Sequence, residues 1–245
     1  MSRIMRKIVF LFIWILGAIS LYGSNEDQEV RALELWSPGS SVSMGAIKKY
    51  GESRCFVSEP IPDAVFARMK GLSYKANCTV PRSRLRYLKV LHYDGHGHIL
   101  LGEMVCNKAI AQDLIEIFHT LFQHRYPIER MRLIDDYHAD DEASMQDNNS
   151  TCFNFRKKTL PAAGLSKHAQ GMAVDINTLY NPYCKVLRSG KLKVSPESGR
   201  PYVNRNAQFP YKITKSDLCY RLFVQHGFKW GGSWKSCKDY QHFEK

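Results

Sequence analysis

The amino-acid sequence predicts an α+β domain built on a small, mainly antiparallel sheet, with helices on one side and a functional cleft on the other. Three observations carry that expectation. Two short strand patterns flank a glycine-rich turn at residues 94–98, a helical apolar period runs from Ile110 to Phe122, and a second helical pattern near residue 217 leads directly into a strand. With 245 residues the chain can bury one good-sized core and carry an appended lobe. Hydrophobic residues at 44% and charged residues at 24% are ordinary for a globular chain, so the composition excludes disorder.

At the N-terminus, Arg3, Arg6 and Lys7 precede an almost wholly apolar run from Ile8 to Tyr22, after which Glu26 and Asp27 follow. That is the layout of a secretory signal peptide over residues 1–23, because the apolar run falls short of the ~20 residues that cross a bilayer. The expectation is cleavage and export to the periplasm, the cell envelope or the medium. Residues 24–82 mix Gly, Pro and Ser with short apolar pieces and show no strong period, which reads as an extension packed on a domain spanning residues 83–245.

Within that domain, Leu85–Leu91 and Ile99–Val105 read as strands of a hairpin, and Asp94-Gly95-His96-Gly97-His98 as its turn. His96 and His98 fit turn chemistry better than metal binding. Asn107 is placed to cap a helix extending to Arg125, in which Ile110, Leu114, Ile117, Phe118, Leu121 and Phe122 share one face and Pro127 forbids continuation. This helix should back the sheet. A strand is expected around Met131–Ile134, and the acidic stretch Asp135–Asn149 reads as a surface loop. Ser216 is the expected cap of a helix from Asp217 to His226, Gly227 its left-handed terminator, and Phe228 and Trp230 the start of the next strand. No internal repeat is present, which excludes solenoids.

Seven cysteines fit an exported chain, since disulfides persist outside the cytosol, and the odd number leaves at least one unpaired. Cys219 and Cys237 are one candidate pair, stapling the last helix to the segment before Asp239. None of the seven forms a C-x-x-C pair, which argues against a thiolate zinc knuckle or a thioredoxin-type site. The formal charge is +12, and removing residues 1–23, with three basic residues and no acid, leaves +9. Such a surface favours anionic partners. No helix-turn-helix, zinc-finger or aromatic-basic RNA motif accompanies it, so wall polymers and anionic lipid are expected in place of nucleic acid.

The chemistry concentrates in Ser166-Lys167-His168-Ala169-Gln170-Gly171-Met172-Ala173-Val174-Asp175, where a histidine and a carboxylate stand on either side of a glycine turn. A catalytic zinc takes three nitrogen or oxygen ligands and keeps one position for water. His168 and Asp175 supply two. The third is His242, in Asp239-Tyr240-Gln241-His242-Phe243-Glu244, where one turn of backbone would set Asp239 beside the bound water as the proton acceptor. Peptide hydrolysis also needs a positive group facing the developing oxyanion, and Arg156 is the candidate; its planar fork suits a substrate carboxylate equally well. A lone histidine or a strand-end aspartate is usually structural. The combined pattern favours a metal centre.

Ser-x-His-x-x-Gly-x-Ala-x-Asp at Ser166–Asp175, then Trp230-Gly231-Gly232-x-Trp234 and Asp239-x-x-His242-Phe243, resembles the VanY-type D-alanyl-D-alanine carboxypeptidases. That family includes wall-lytic L-alanyl-D-glutamate endopeptidases and shares its fold with the signalling domain of hedgehog proteins. The resemblance covers residues 85–245. It implies that His168, Asp175 and His242 bind Zn2+, that Asp239 is the general base, that Arg156 stabilises the transition state, and that the substrate is a peptidoglycan stem peptide. Some relatives use glutamate as the base; the aspartate here is closer to the endopeptidase and VanY branches. Ser166, Trp230 and Trp234 are candidate substrate contacts, although tryptophans at such positions more often line a core. Two other classes compete: a zinc-containing wall-binding or signalling module without catalysis, and a basic adhesion or nucleic-acid protein in which the motifs are accidental. Terminal D-Ala removal and internal endopeptidase cutting use the same metal machinery and differ in the shape of the cleft.

Overall fold

A computed structural model describes residues 25–156 and 165–245; the expected signal segment, residues 1–23, lies outside them. No helix among the described residues is long and apolar enough to cross a membrane. The architecture is α+β, with three small antiparallel sheets. The largest has the order β1-β4-β3-β2, formed by Ser41–Val42, Ile99–Asn107, Leu85–Tyr93 and Val57–Glu59. Its centre is the expected hairpin, longer than the apolar pattern suggested, with Leu85 opposite Asn107 and Tyr93 opposite Ile99. β4 is buried along almost its whole length, because both faces of the sheet are covered. The turn closes on Asp94, whose carboxylate accepts the N–H groups of His96 and His98, both at 2.8 Å.

Residues 25–82, which show no period in sequence, contribute three short helices, α1 (25–35), α2 (Met44–Tyr50) and α3 (Asp63–Met69), besides strands β1 and β2. In α2 and α3, seven residues make two turns, too few for a periodic pattern to stand out, and in α1 only Leu33 is fully buried. Leu33, Trp36, Ile47 and Met69 nevertheless belong to the main core, and the Trp36 indole donates to Gly102 O at 3.1 Å.

α4 (Ala111–Gln123) packs on β3 with Leu114, Ile117, Phe118 and Leu121 buried, as its period demands. Its start differs from expectation. Asn107 remains at the end of β4, its side chain occupied with Ala109 N–H and Gln170 O, and Ile110 takes the N-cap position without a side-chain bond. Met131–Ile134 is not a strand. The side chain of Asn149 substitutes for a strand partner, accepting from Arg132 N–H at 2.9 Å and donating to Arg132 O at 3.0 Å. The stretch read as an acidic surface loop is structured and partly buried: a 3-10 turn, Ile134–Tyr137, leads to α5, Asp141–Gln146. Its acids are consumed locally, Asp135 by the backbone and hydroxyl of Ser73 and Asp140 as the cap of α5.

α6 (Leu218–Gln225) begins one residue later than expected, with Asp217 as its cap through Cys219 N–H at 2.8 Å in place of Ser216. Gly227 does terminate it with φ +84°. Phe223 on α6 meets Phe118 on α4 edge-on and stacks on Phe243, whose strand belongs to the second sheet. That sheet has the order β5-β10-β8 (Ala173–Asp175, His242–Glu244, Lys229–Trp230), and the third has the order β7-β6-β9 (Leu192–Ser195, Tyr183–Val186, Lys238–Asp239). All seven cysteines are free thiols, so the expected staple between Cys219 and Cys237 does not form; Cys219 is buried against the core on α6 while Cys237 lies at the third sheet.

Candidate metal centre

The site stands on the second sheet rather than across the main one, which corrects the expected layout. His168 opens a 3-10 turn, His168–Gln170, and its N–H is held by the Ser166 hydroxyl at 3.2 Å. The turn ends on Gly171 at φ +67°, where a Cβ would stand 2.7 Å from the backbone nitrogen of Asn107. Glycine therefore serves twice: it adopts the left-handed conformation and lets the turn press on the end of β4. Two residues on, the chain enters β5, at the end of which Asp175 lies directly opposite His242 in antiparallel register. The strand period then puts His242 and Glu244 on one face and Phe243 in the core.

His168 Nε2, His242 Nδ1 and a carboxylate oxygen of Asp175 converge, all within 4.8 Å of one another. The two nitrogens are 3.1 Å apart, His242 Nδ1 is 3.0 Å from Asp175 Oδ1, and His168 Nε2 is 3.2 Å from Asp175 Oδ2. The outer nitrogens are engaged as well. His168 Nδ1 donates to Cys152 O at 2.7 Å, and His242 Nε2 donates to Glu244 Oε2 at 3.3 Å. Each outer bond leaves an inner lone pair aimed at the centre, the arrangement by which proteins orient metal-binding imidazoles.

This donor set fits a divalent cation. Zinc–nitrogen bonds of ~2.0–2.1 Å at tetrahedral angles separate two donors by about 3.3 Å, close to the edges found here. Two imidazole lone pairs this near one carboxylate also require something positive between them, a proton or a metal. Without a metal, burial works against charge on His242, but its bonds to Asp175 and Glu244 outweigh that and push the imidazole up to about 10. Burial likewise opposes the charge on Asp175, yet His168 and His242 hold its carboxyl well below the usual carboxylate range.

Asp239 feels the same centre. Burial raises its carboxyl to about 6, against the lowering pull of His242 and His168, and its Oδ1 is buried with no hydrogen-bond partner. The backbone between Asp239 and His242 is not the helical turn expected. Asp239 pairs with Tyr183 in the third sheet and His242 with Asp175 in the second, so Tyr240 and Gln241 bridge two sheets. Gly231 permits the crossing, since a Cβ there would meet Asp239 O at 2.7 Å and the His242 Cβ at 3.2 Å.

The other sequence-derived candidates lie as follows. Arg156 stands two residues past Asn154, whose N–H donates to His168 O at 3.2 Å, and its Nε lies 2.5 Å from Asp141 Oδ2. Trp234 is partly exposed, its ring 5.2 Å from that of His242. Trp230 is buried, donates to Tyr240 O at 2.9 Å and faces Phe243 across the strands. Sequence reasoning missed Glu244 and the Cys152 carbonyl. Glu244 was visible as the residue two beyond His242, had the segment been read with a strand period; a backbone carbonyl leaves no signature in side-chain identity.

Searches of curated proteins and of solved structures found no match. Residues 161–245, about a third of the chain and the part that holds His168, Asp175, Asp239 and His242, match the family model described as D-alanyl-D-alanine carboxypeptidase.

Proposed function

We propose that this chain is a zinc-dependent peptidase that hydrolyses amide bonds of peptidoglycan stem peptides, as a D-Ala-D-Ala carboxypeptidase of VanY type or an L-Ala-D-Glu-type endopeptidase. The observation that carries the reading is the convergence of two imidazoles and one carboxylate whose outer groups are already tied, beside a buried carboxyl oxygen without a partner. His168, Asp175 and His242 would hold the ion. When bound, zinc lowers the pKa of a coordinated water and polarises a carbonyl oxygen. Asp239 would take and return a proton at Oδ1: burial raises its carboxyl above the ordinary carboxylate range, to about 6 in the metal-free site, which makes it a better proton acceptor than an exposed aspartate. An unpartnered buried acceptor costs on the order of 1–3 kcal/mol, a cost that a proton-transfer role explains. Arg156, released from Asp141, would face the negative charge that develops on the scissile carbonyl. The basic head and apolar run of residues 1–23 support export to the envelope, where this substrate occurs.

A second reading is a zinc-holding wall or signalling module without turnover, favoured by the engagement of Arg156 with Asp141. Mass spectrometry of muropeptides incubated with the zinc-loaded chain separates the two. Asp239→Ala is expected to retain stoichiometric metal and lose at least a hundredfold in turnover, whereas His242→Ala loses metal. Equal metal loss in both variants contradicts the roles assigned, and metal without peptide release by the unmutated chain establishes the module.

A further inference from the structure

The β6–β7 hairpin carries chemistry that the metal centre does not use. Between Tyr183 and Ser195 there are four cations, Lys185, Arg188, Lys191 and Lys193, and no acid. None of the four forms an ion pair with a described residue, and Lys185 lies directly opposite Lys193, a cross-strand pair of like charge that weakens the hairpin. Residues 186–191 are all exposed, among them Val186 at 67% and Leu187 at 37%, two of the five large apolar side chains left open to solvent among the described residues. Gly190 turns the tip at φ +78° with open space around it. A repelling pair of lysines and an adjoining exposed Val186 with a partly covered Leu187 both work against the isolated hairpin.

We propose that this hairpin docks the protein on an anionic lipid surface, cations against headgroup phosphates and Val186 and Leu187 sunk into the interface. A soluble polyanion would neutralise the cations but leave the aliphatic tip in water. A charged bilayer satisfies both, with each cation near such a surface strengthening binding about fivefold. The inference does not depend on the peptidase reading, but it bears on the same centre. Tyr183 pairs with Asp239, and the strand runs on for three residues to Val186, ~10 Å at 3.3 Å per residue, before the turn, so docking would hold the metal centre at a set height above the surface.

Hydrogen exchange of the full chain tests the proposal where it is made, because it localises contact regardless of how residues 1–23 behave. Phosphatidylglycerol vesicles are expected to slow the amides of residues 185–192 at least tenfold, and phosphatidylcholine vesicles to leave them unchanged. Val186→Ser with Leu187→Ser should abolish that protection, and Arg188→Glu with Lys191→Glu should lower partitioning onto the anionic vesicles at least tenfold, while exchange in β3 and β4 stays as in the unmutated chain. Protection by inorganic polyphosphate that equals that by vesicles and survives the double serine substitution overturns the proposal in favour of a soluble polymer. Binding to vesicles with no slowing at residues 185–192 overturns it outright.

Discussion

Glu244 shows what a single side chain contributes to the centre. Its carboxylate accepts from His242 Nε2 and so fixes which imidazole nitrogen presents a lone pair to Asp175 and His168. Loss of such an outer partner typically costs 10–100-fold in metal affinity without removing a ligand. Glu244→Gln, which keeps the shape and removes the charge, is therefore expected to weaken zinc binding about tenfold in a competition titration while leaving the melting temperature of the metal-free chain within a few degrees. Unchanged affinity would mean that a neutral acceptor orients the ring as well as the carboxylate does, so that the charge of Glu244 contributes nothing to metal binding. At this scale the sequence was informative where chemistry resides in side chains at fixed spacing. His168, Asp175, His242 and Asp239 were visible because a histidine and a carboxylate framing Gly171, and a second such pair near the C-terminus, have few structural reasons to recur. The Cys152 carbonyl, which any residue would supply, was not.

At the scale of elements, the turn carrying His168 depends on how closely it approaches β4. Gly171→Ala places a methyl 2.7 Å from the backbone nitrogen of Asn107 at φ +67°, and the next nearest atom, the Cys106 carbonyl carbon at 3.2 Å, is backbone too. The expected loss is about 2–3 kcal/mol in a urea titration, together with weaker zinc binding, because a shift of the turn that relieves the clash displaces His168 relative to Asp175. Gly190→Ala provides the comparison: its φ of +78° imposes a similar backbone cost, but nothing lies within 4 Å. That variant should lose about 1 kcal/mol and bind metal normally. Elements with long patterns were legible, as β3, β4 and α4 demonstrate. Those that were not have separate causes: α2, α3 and α5 are seven residues or fewer, α1 is longer but fully buries only Leu33 and so carries no apolar stripe, and Asn149 replaces a strand by side-chain bonds that no periodicity encodes.

For the molecule as a whole, acid stability turns on a residue remote from the centre. His92 is buried in β3 at 3% exposure, where its Nδ1 meets Ile128 O at 2.6 Å and ties the main sheet to the segment of residues 128–133. Burial lowers its pKa from 6.5 to about 4, more than the bonds to Ile128 and Tyr93 and the charges of Asp94 and Glu129 restore. The folded value lies below the unfolded one, so the unfolded chain binds the proton first. The stability His92 supports is complete above pH 6.5 and is lost progressively as the pH falls toward 4. Between pH 7 and pH 4.5 that amounts to about 2 kcal/mol. Asp239 acts in the opposite sense, since its carboxyl is raised by burial and regains the proton more readily when folded, so the wild-type slope alone is ambiguous. The contrast with His92→Gln removes the ambiguity. Urea titrations at the two pH values should show the glutamine variant, which keeps a donor for Ile128 O, losing about 2 kcal/mol less than the wild type over the same interval. Equal losses would mean that folding leaves the imidazole's pKa where the unfolded chain has it, and a larger loss in the glutamine variant would mean that the buried imidazole is already protonated at pH 7, with the segment of residues 128–133 held to the sheet by a charged bond rather than a neutral one.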